Sequence, residues 1–181
     1  MKTTLRKIVM EARELFREHG YDGASMQDLA ARVGLKKASL YTRFPNKEAL
    51  VSEVLTLTLE ETLKGLPDPR EDWQLAWQTL IGRIAKTFET RKRCVGLHLA
   101  YGVTSVTPEA QAAVSQFFNV LRERMADILR LGGIPQPDSA AADILAQLEG
   151  ATLWITTSGD VEPLRRAVKS ASRLDVFGRK I

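Results

Sequence analysis

Between Gly34 and Leu50 the chain sets Lys36, Lys37, Ser39, Thr42 and Arg43 largely on one side of a short helix, about residues 36–44. Leu40 and Phe44 turn to the other side. Two lysines at a helix N-terminus, where unpaired backbone N–H groups also favour anions, suit phosphate, and either can instead reach guanine O6/N7. The hydroxyls of Ser39 and Thr42 can donate to phosphate or touch a thymine methyl, and Ala38 offers close backbone approach or a methyl contact. A second pairing, Cys94 and His98 at i and i+4, could bring a thiol and an imidazole onto one helical turn. Nucleophilic catalysis there would want an orienting Asn or Asp, and none is evident. A zinc site would have only His19 to add, and no Gly-rich phosphate loop exists. The residue types therefore argue against an enzyme and call for no metal or cofactor.

The elements that must position the basic face can be read from the same stretch. Ser25 to Val33 is a short amphipathic helix with Met26, Leu29, Ala30 and Val33 on one face, Ser25 as its cap and Asp28 three residues on as a weak capping box. Gly34 supplies the left-handed or tight turn that a residue with a Cβ resists. Small Ala30 lets the two helices approach closely at a steep angle. This is the helix-turn-helix pattern, in which the second helix meets base edges while flanking groups hold phosphates.

From Ile8 to about Val54 the chain resembles the tetracycline-repressor (TetR/AcrR) family of bacterial transcriptional regulators. The resemblance is carried by Ala12, Phe16, His19-Gly20-Tyr21, Ser25-Met26, Leu29-Ala30, Val33-Gly34-Leu35, Ser39-Leu40-Tyr41, Phe44 and Lys47-Glu48-Ala49-Leu50. It departs at Lys36, where the family often has Ser, at Thr42, where it favours an aromatic, and at Arg43, where His is common. These departures fall on the outward face and so bear on which DNA sequence is read. The resemblance implies that Tyr41 places its hydroxyl on a phosphate, that Lys47 binds the DNA backbone from the start of helix 4, and that Ser25 and Gln27 anchor helix 2 across the groove.

Charge supports this division. Residues 1–50 hold 10 Lys/Arg against 6 Asp/Glu, while residues 51–181 hold 16 of each, so the whole formal charge of +4 lies in the first segment. The single cysteine excludes an intrachain disulfide framework, the charged N-terminus reads as no secretory signal, and no apolar run is long enough to span a membrane. The expected setting is soluble and cytoplasmic.

The periodicity predicts an all-α protein of nine helices, with a DNA-binding domain over 1–50 and a ligand-binding and dimerisation domain over 51–181. Helix 1 runs from about Thr4 to His19 and stops at Gly20. Helix 4 is capped by Asn46 and is expected to link the two parts rigidly up to Pro67-Asp-Pro69. Helix 5 spans about Asp72 to Arg91, with Arg83, Lys86 and Glu89 outside. Helix 6 covers about Cys94 to Val103, helix 7 starts at Thr107-Pro-Glu, helix 8 near Asp138 or Ser139, and helix 9 at Asp160, with Leu174 on its apolar stripe. The last residues, Gly178 to Ile181, are expected to fray.

A single helix-turn-helix reads few base pairs, so specificity calls for two half-sites and a homodimer on a palindromic operator in double-stranded DNA. Helix 8 is apolar or small on more than one face, with Leu145, Leu148, Ala151 and Thr152. Helix 9 adds the stripe Leu164, Val168 and Ala171. The resemblance implies that these helices and their twofold mates form a four-helix interface. It also implies a pocket among helices 5 to 8 whose occupant moves the DNA-binding heads, and Trp77, Phe88, His98, Tyr101, Phe117 and Trp154 are the lining candidates. With no Lys or Arg clearly inside those helices, an apolar, aromatic or cationic effector is expected. The alternative is a regulator controlled by a protein partner or by oxidation of Cys94.

Overall fold

The computed structural model describes residues 4–173. The helix 9 position Leu174 and the fraying expected for Gly178 to Ile181 lie outside those residues. Nine α-helices and no strand are present among the described residues. The chain forms two compact units. One comprises residues up to 60 together with 95–118, and the other residues 61–94 together with 119 onward.

In the first unit α1 (Leu5–Gly23) is capped by Thr4, whose hydroxyl oxygen accepts from the Lys7 N–H at 3.2 Å. Ile8, Ala12, Leu15 and Phe16 are buried along one face, at the spacing that predicted the helix. The expected stop at Gly20 is a kink rather than an end. Gly20 takes φ 69° and ψ −169°, and one further turn follows to Gly23. That turn folds Tyr21 back to stack on Phe16, with ring centroids 6.4 Å apart. Helix α6 (Val95–Ala100), shorter than expected, packs on α1 at this kink. A Cβ on Gly20 would lie 3.4 Å from His98 Nε2, and one on Gly102 would lie 2.9 Å from Tyr21 Cβ. Close approach at Gly102 thus depends on the missing side chain.

Helix α2 (Met26–Val33) is capped by Ser25 and ends at Gly34 in the left-handed conformation, φ 68°. Helix α3 (Lys37–Tyr41) follows, and Arg43 and Phe44 close its last turn by donating to the Leu40 carbonyl. Helix α4 (Lys47–Leu63) begins with Asn46 Oδ1 accepting from the Ala49 N–H at 2.7 Å. Helix α7 (Pro108–Leu131) starts with Pro in its first turn, as read from Thr107-Pro-Glu. Its side-chain cap comes from elsewhere. Glu48 of α4 accepts from the Ala110 N–H at 3.1 Å, while the Thr107 hydroxyl turns back to the Thr104 backbone.

In the second unit Asp72 caps α5 (Trp73–Arg91) by accepting from the Leu75 N–H at 2.8 Å. Arg83, expected outside, is half-buried. Its guanidinium donates to the carbonyls of Thr62, Lys64 and Gly65 and so satisfies a helix end that backbone geometry leaves open. Helix α8 (Pro137–Ser158) ends at Gly159, φ 72°, and lies along α9 (Glu162–Ala171). Asp160 precedes α9 as a turn residue, its carboxylate accepting from the Glu162 N–H at 2.9 Å.

Candidate nucleic-acid interface

Leu40 and Phe44 are buried beneath α3 and hold it against the first unit's core. Every other residue of interest on that helix faces outward: Lys36, Lys37, Ala38, Ser39, Tyr41, Thr42 and Arg43 are exposed, as are Ser25 and Gln27 at the start of α2. The structure therefore brings nine of the ten expected DNA-contacting residues onto exposed surface of two adjoining short helices. Lys36 is the N-cap of α3, which leaves the first N–H groups of the helix beside two ammonium groups.

Internal bonds narrow what some of these groups can do. The Thr42 hydroxyl donates to the Ala38 carbonyl at 3.0 Å, so its proton is spent and its methyl group and oxygen lone pairs are what remain to meet a base. The Ser25 hydroxyl donates to Asp28 Oδ2 at 2.6 Å and accepts from the Asp28 N–H at 3.0 Å. It is occupied as a cap before any phosphate arrives. Lys37 Nζ lies 5.8 Å from the centroid of the Tyr41 ring, and Tyr41 is 40% exposed, so ammonium and hydroxyl form one outward pair.

The tenth residue is placed differently. Lys47 turns inward, donating to the carbonyls of Tyr21 at 2.6 Å and Ala24 at 3.1 Å, with its ammonium 4.1 Å from the Tyr21 ring centroid. Burial pulls its pKa below the ordinary lysine value. In this arrangement Lys47 fastens the start of α4 to the junction of α1 and α2, and two of its three protons are already used. The kink at Gly20 is what presents those carbonyls. Arg32 of α2 and Glu18 of α1 form an ion pair that holds the Glu18 carboxyl below the usual carboxylate range.

The expected effector residues are divided between the two units. His98, Tyr101 and Phe117 belong to the first unit; Trp77, Phe88 and Trp154 belong to the second. Tyr101 is 80% exposed. Phe117 is buried against Gly96, where an added Cβ would come within 2.6 Å of its ring, and it also lines a cleft of about 300 Å³ between α4 and α7. Trp77 is core: its indole N–H donates to the Ala171 carbonyl at 2.8 Å. Phe88 is likewise buried, and Trp154 stands on the outer face of α8 at 52% exposure. Aromatic residues at helical spacing serve packing here more than a cavity wall.

The residues expected at a subunit contact divide in the same way. Leu145, Leu148, Thr152, Leu164 and Ala171 are buried within one protomer, and Val168 is half-buried. Helix α8 buries its Leu148 face, and the opposite face carries the exposed apolar surface. That face holds Gly150, Leu153 at 58% exposure and Trp154. Ala151 and Trp154 line an open groove of about 360 Å³ with Gln147, Gly150, Pro163, Arg166, Ala167 and Ser170. The signal was in the sequence: a mid-helix Gly followed by Leu153-Trp154, out of phase with Leu148.

Cys94 is buried, out of ready reach of a solvent oxidant, and its thiol lies toward Glu149 as a weak donor. Among the described residues no cluster of His, Cys, Asp and Glu is arranged to hold a metal, and no helix is long and apolar enough to cross a membrane.

Comparison with known proteins bears on both units. Residues 8–54 match the profile of bacterial regulatory proteins of the tetR family, and residues 74–170 match the C-terminal domain of LmrA/YxaF-like transcriptional regulators. The chain is similar to the biofilm operon icaADBC negative transcriptional regulator IcaR of Staphylococcus epidermidis, 48% identical over 44 residues. It is also similar to IcaR of Staphylococcus aureus strain Newman, 45% identical over 47. These matches span about a quarter of each chain, 24% to 26% of this one and 24% to 25% of the relatives. Over nearly full length the fold is that of a TetR transcriptional regulator from Legionella pneumophila, TM-score 0.84 at 23% identity over 99% of both chains. PfmR of Thermus thermophilus, a TetR-family regulator, is 27% identical with a TM-score of 0.64 over 97% of this chain and 100% of its own. A helix-turn-helix with an outward basic face and an all-helical second part of matching type together place the chain in the TetR family of transcriptional regulators.

Proposed function

We propose that this chain represses transcription by binding a palindromic operator as a homodimer in the cytoplasm, and that a small apolar or cationic molecule releases it. The observation that carries the DNA-binding part is the α3 surface. Two buried anchors, Leu40 and Phe44, hold a five-residue helix whose remaining side chains all face solvent and whose N-terminus bears two lysines. A helix held so firmly yet left so bare is suited to docking in a groove. Repression follows the relatives, whose printed names call them negative regulators. Pairing through α8 and α9 is supported by the exposed apolar Leu153 and Trp154 beside Gly150, where an added Cβ would meet nothing within 4 Å. A mid-helix Gly costs about 1 kcal/mol relative to Ala, and a closely approaching partner helix supplies a reason for it.

The test is selection of bound fragments from genomic DNA by the purified protein, followed by anisotropy titration on the selected sequence. A palindrome bound by one dimer, with Kd rising steeply with salt, is the expected result. Recovery of no common sequence would refute the proposal. The buried setting of Cys94 tells against thiol oxidation as the release signal.

A further inference from the structure

We infer that the carboxylate of Glu149 is the counter-ion for a small hydrophobic cation, a protonated amine on an apolar body, bound inside the second unit. The inference rests on the reading of that unit as the part that receives an effector. It names the anchoring group and the charge of the ligand.

Among the described residues Glu149 is the one charged side chain buried in the second unit, at 7% exposure. Its neighbours on the buried face of α8 are Ile144, Leu145, Leu148, Ala151, Thr152 and Ile155. Neither carboxylate oxygen is met by an N–H or O–H donor. The nearby Thr152 hydroxyl is spent on the Glu149 main-chain carbonyl at 2.6 Å. The Cys94 thiol is the one titratable group that acts on Glu149, as a weak donor, and no lysine, arginine or histidine forms an ion pair with it among the described residues. A buried carboxylate is normally matched by a cation or a set of strong donors, because leaving it bare is costly. The protein supplies neither, so the matching charge is left for a ligand to bring.

The sign of that charge follows from the chemistry. Burial pushes the Glu149 carboxyl up to about 7. An anion would be repelled by the ionised form. A neutral alcohol would gain one ordinary hydrogen bond. A protonated amine gains a charge-assisted bond to the ionised acid and in doing so displaces its proton. Apolar side chains along α8 then select for an apolar body behind the amine.

The experiment uses the full chain, with phenethylamine and its near-isostere phenethyl alcohol as probes in calorimetric titrations. The amine is expected to bind about tenfold or more tightly than the alcohol, as an added charge-assisted bond would give. Its affinity should rise from about pH 6 to about pH 8, and proton release should appear when buffers of different ionisation enthalpy are compared at the lower pH. Glu149→Gln should bring amine and alcohol to equal affinity and flatten the pH dependence. Circular dichroism and operator binding of the variant confirm that it is folded. Wild-type protein that binds the amine no better than the alcohol, or releases no proton, overturns the inference even if the variant fails to fold. A variant that keeps the preference overturns it too. Operator titrations run in parallel separate the two readings. Amine bound through Glu149 without loss of DNA supports the site and refutes effector release. Normal operator binding with no amine preference removes the site and leaves the DNA reader standing.

Discussion

Lys37 and Lys47 are both lysines in an apparently basic head, yet their side chains do opposite work. Lys37 points to solvent beside Tyr41, so Lys37→Ala and Tyr41→Phe should weaken operator binding while leaving the helical circular-dichroism signal intact. If Lys37 holds only phosphate, its loss should lower the salt slope by about one and weaken all sequences alike; a changed base preference in a binding-site selection would assign it to a base instead. Lys47→Met should act first on folding, since it removes two charge-assisted bonds, to Tyr21 and Ala24. A cost of about 2 to 3 kcal/mol in urea unfolding is expected. Unchanged stability with lost DNA affinity would return Lys47 to the phosphate role that the family resemblance implies. The sequence could not separate the two lysines, because the carbonyls that capture Lys47 exist only once Gly20 has kinked the chain. Glu149 was silent for a related reason: an acid on a helix reads as a solvated face until its neighbours are known. Its raised pKa means that the native state holds the proton more tightly than the unfolded chain does. Stability should therefore fall as pH rises from the ordinary value of 4.5 through about 7, and then level off. Between about pH 5 and pH 8 the wild type should lose about 2 to 3 kcal/mol more than Glu149→Gln, read as the pH slope of denaturant midpoints.

Helix ends were the most legible elements. Ser25, Asn46, Gly34 and the Pro of α7 all act where their local chemistry placed them, because caps and turns depend on a few consecutive residues. Helix faces were legible only when one side was apolar. Helix α8 is apolar or small on more than one face, so periodicity named Leu148 for a subunit contact, whereas burial puts Leu148 in the protomer core and leaves Leu153 exposed. The two faces predict different failures. Leu148→Ala should cost about 2 to 5 kcal/mol of protomer stability by leaving a cavity. Trp154→Lys should leave the protomer folded and, where the proposed pairing holds, shift sedimentation from dimer to monomer. A Trp154→Lys protein that sediments as wild type would rule out that face. Capping of α7 by Glu48 was invisible in sequence, since its partner at Ala110 lies far along the chain.

At the scale of the molecule, the charge asymmetry was readable and the ligand was not. A net charge is a sum over residues, whereas a pocket is a shape, and six aromatic or polar candidates divided between two units do not define one. Linkage still makes the proposed regulation testable as a whole. Any compound that lowers operator affinity must have its own affinity lowered by operator DNA to the same extent, typically about 5- to 150-fold. Unequal factors in paired titrations would show that the compound acts by some route other than a shared equilibrium.

The first unit is discontinuous, since residues up to 60 are completed by 95–118. During synthesis the helix-turn-helix therefore emerges before α6, the strut that packs on the α1 kink, and must wait for the intervening segment 61–94. Closing that loop has an entropic cost that grows only slowly with its length, so the wait is a matter of order rather than of energy. A ribosome-released fragment ending near residue 60 should accordingly be helical but loosely packed, with poorly dispersed amide resonances. Restoring the chain through Phe118 should sharpen them. The head of this protein is not a portable module but half of a thought that the chain finishes later.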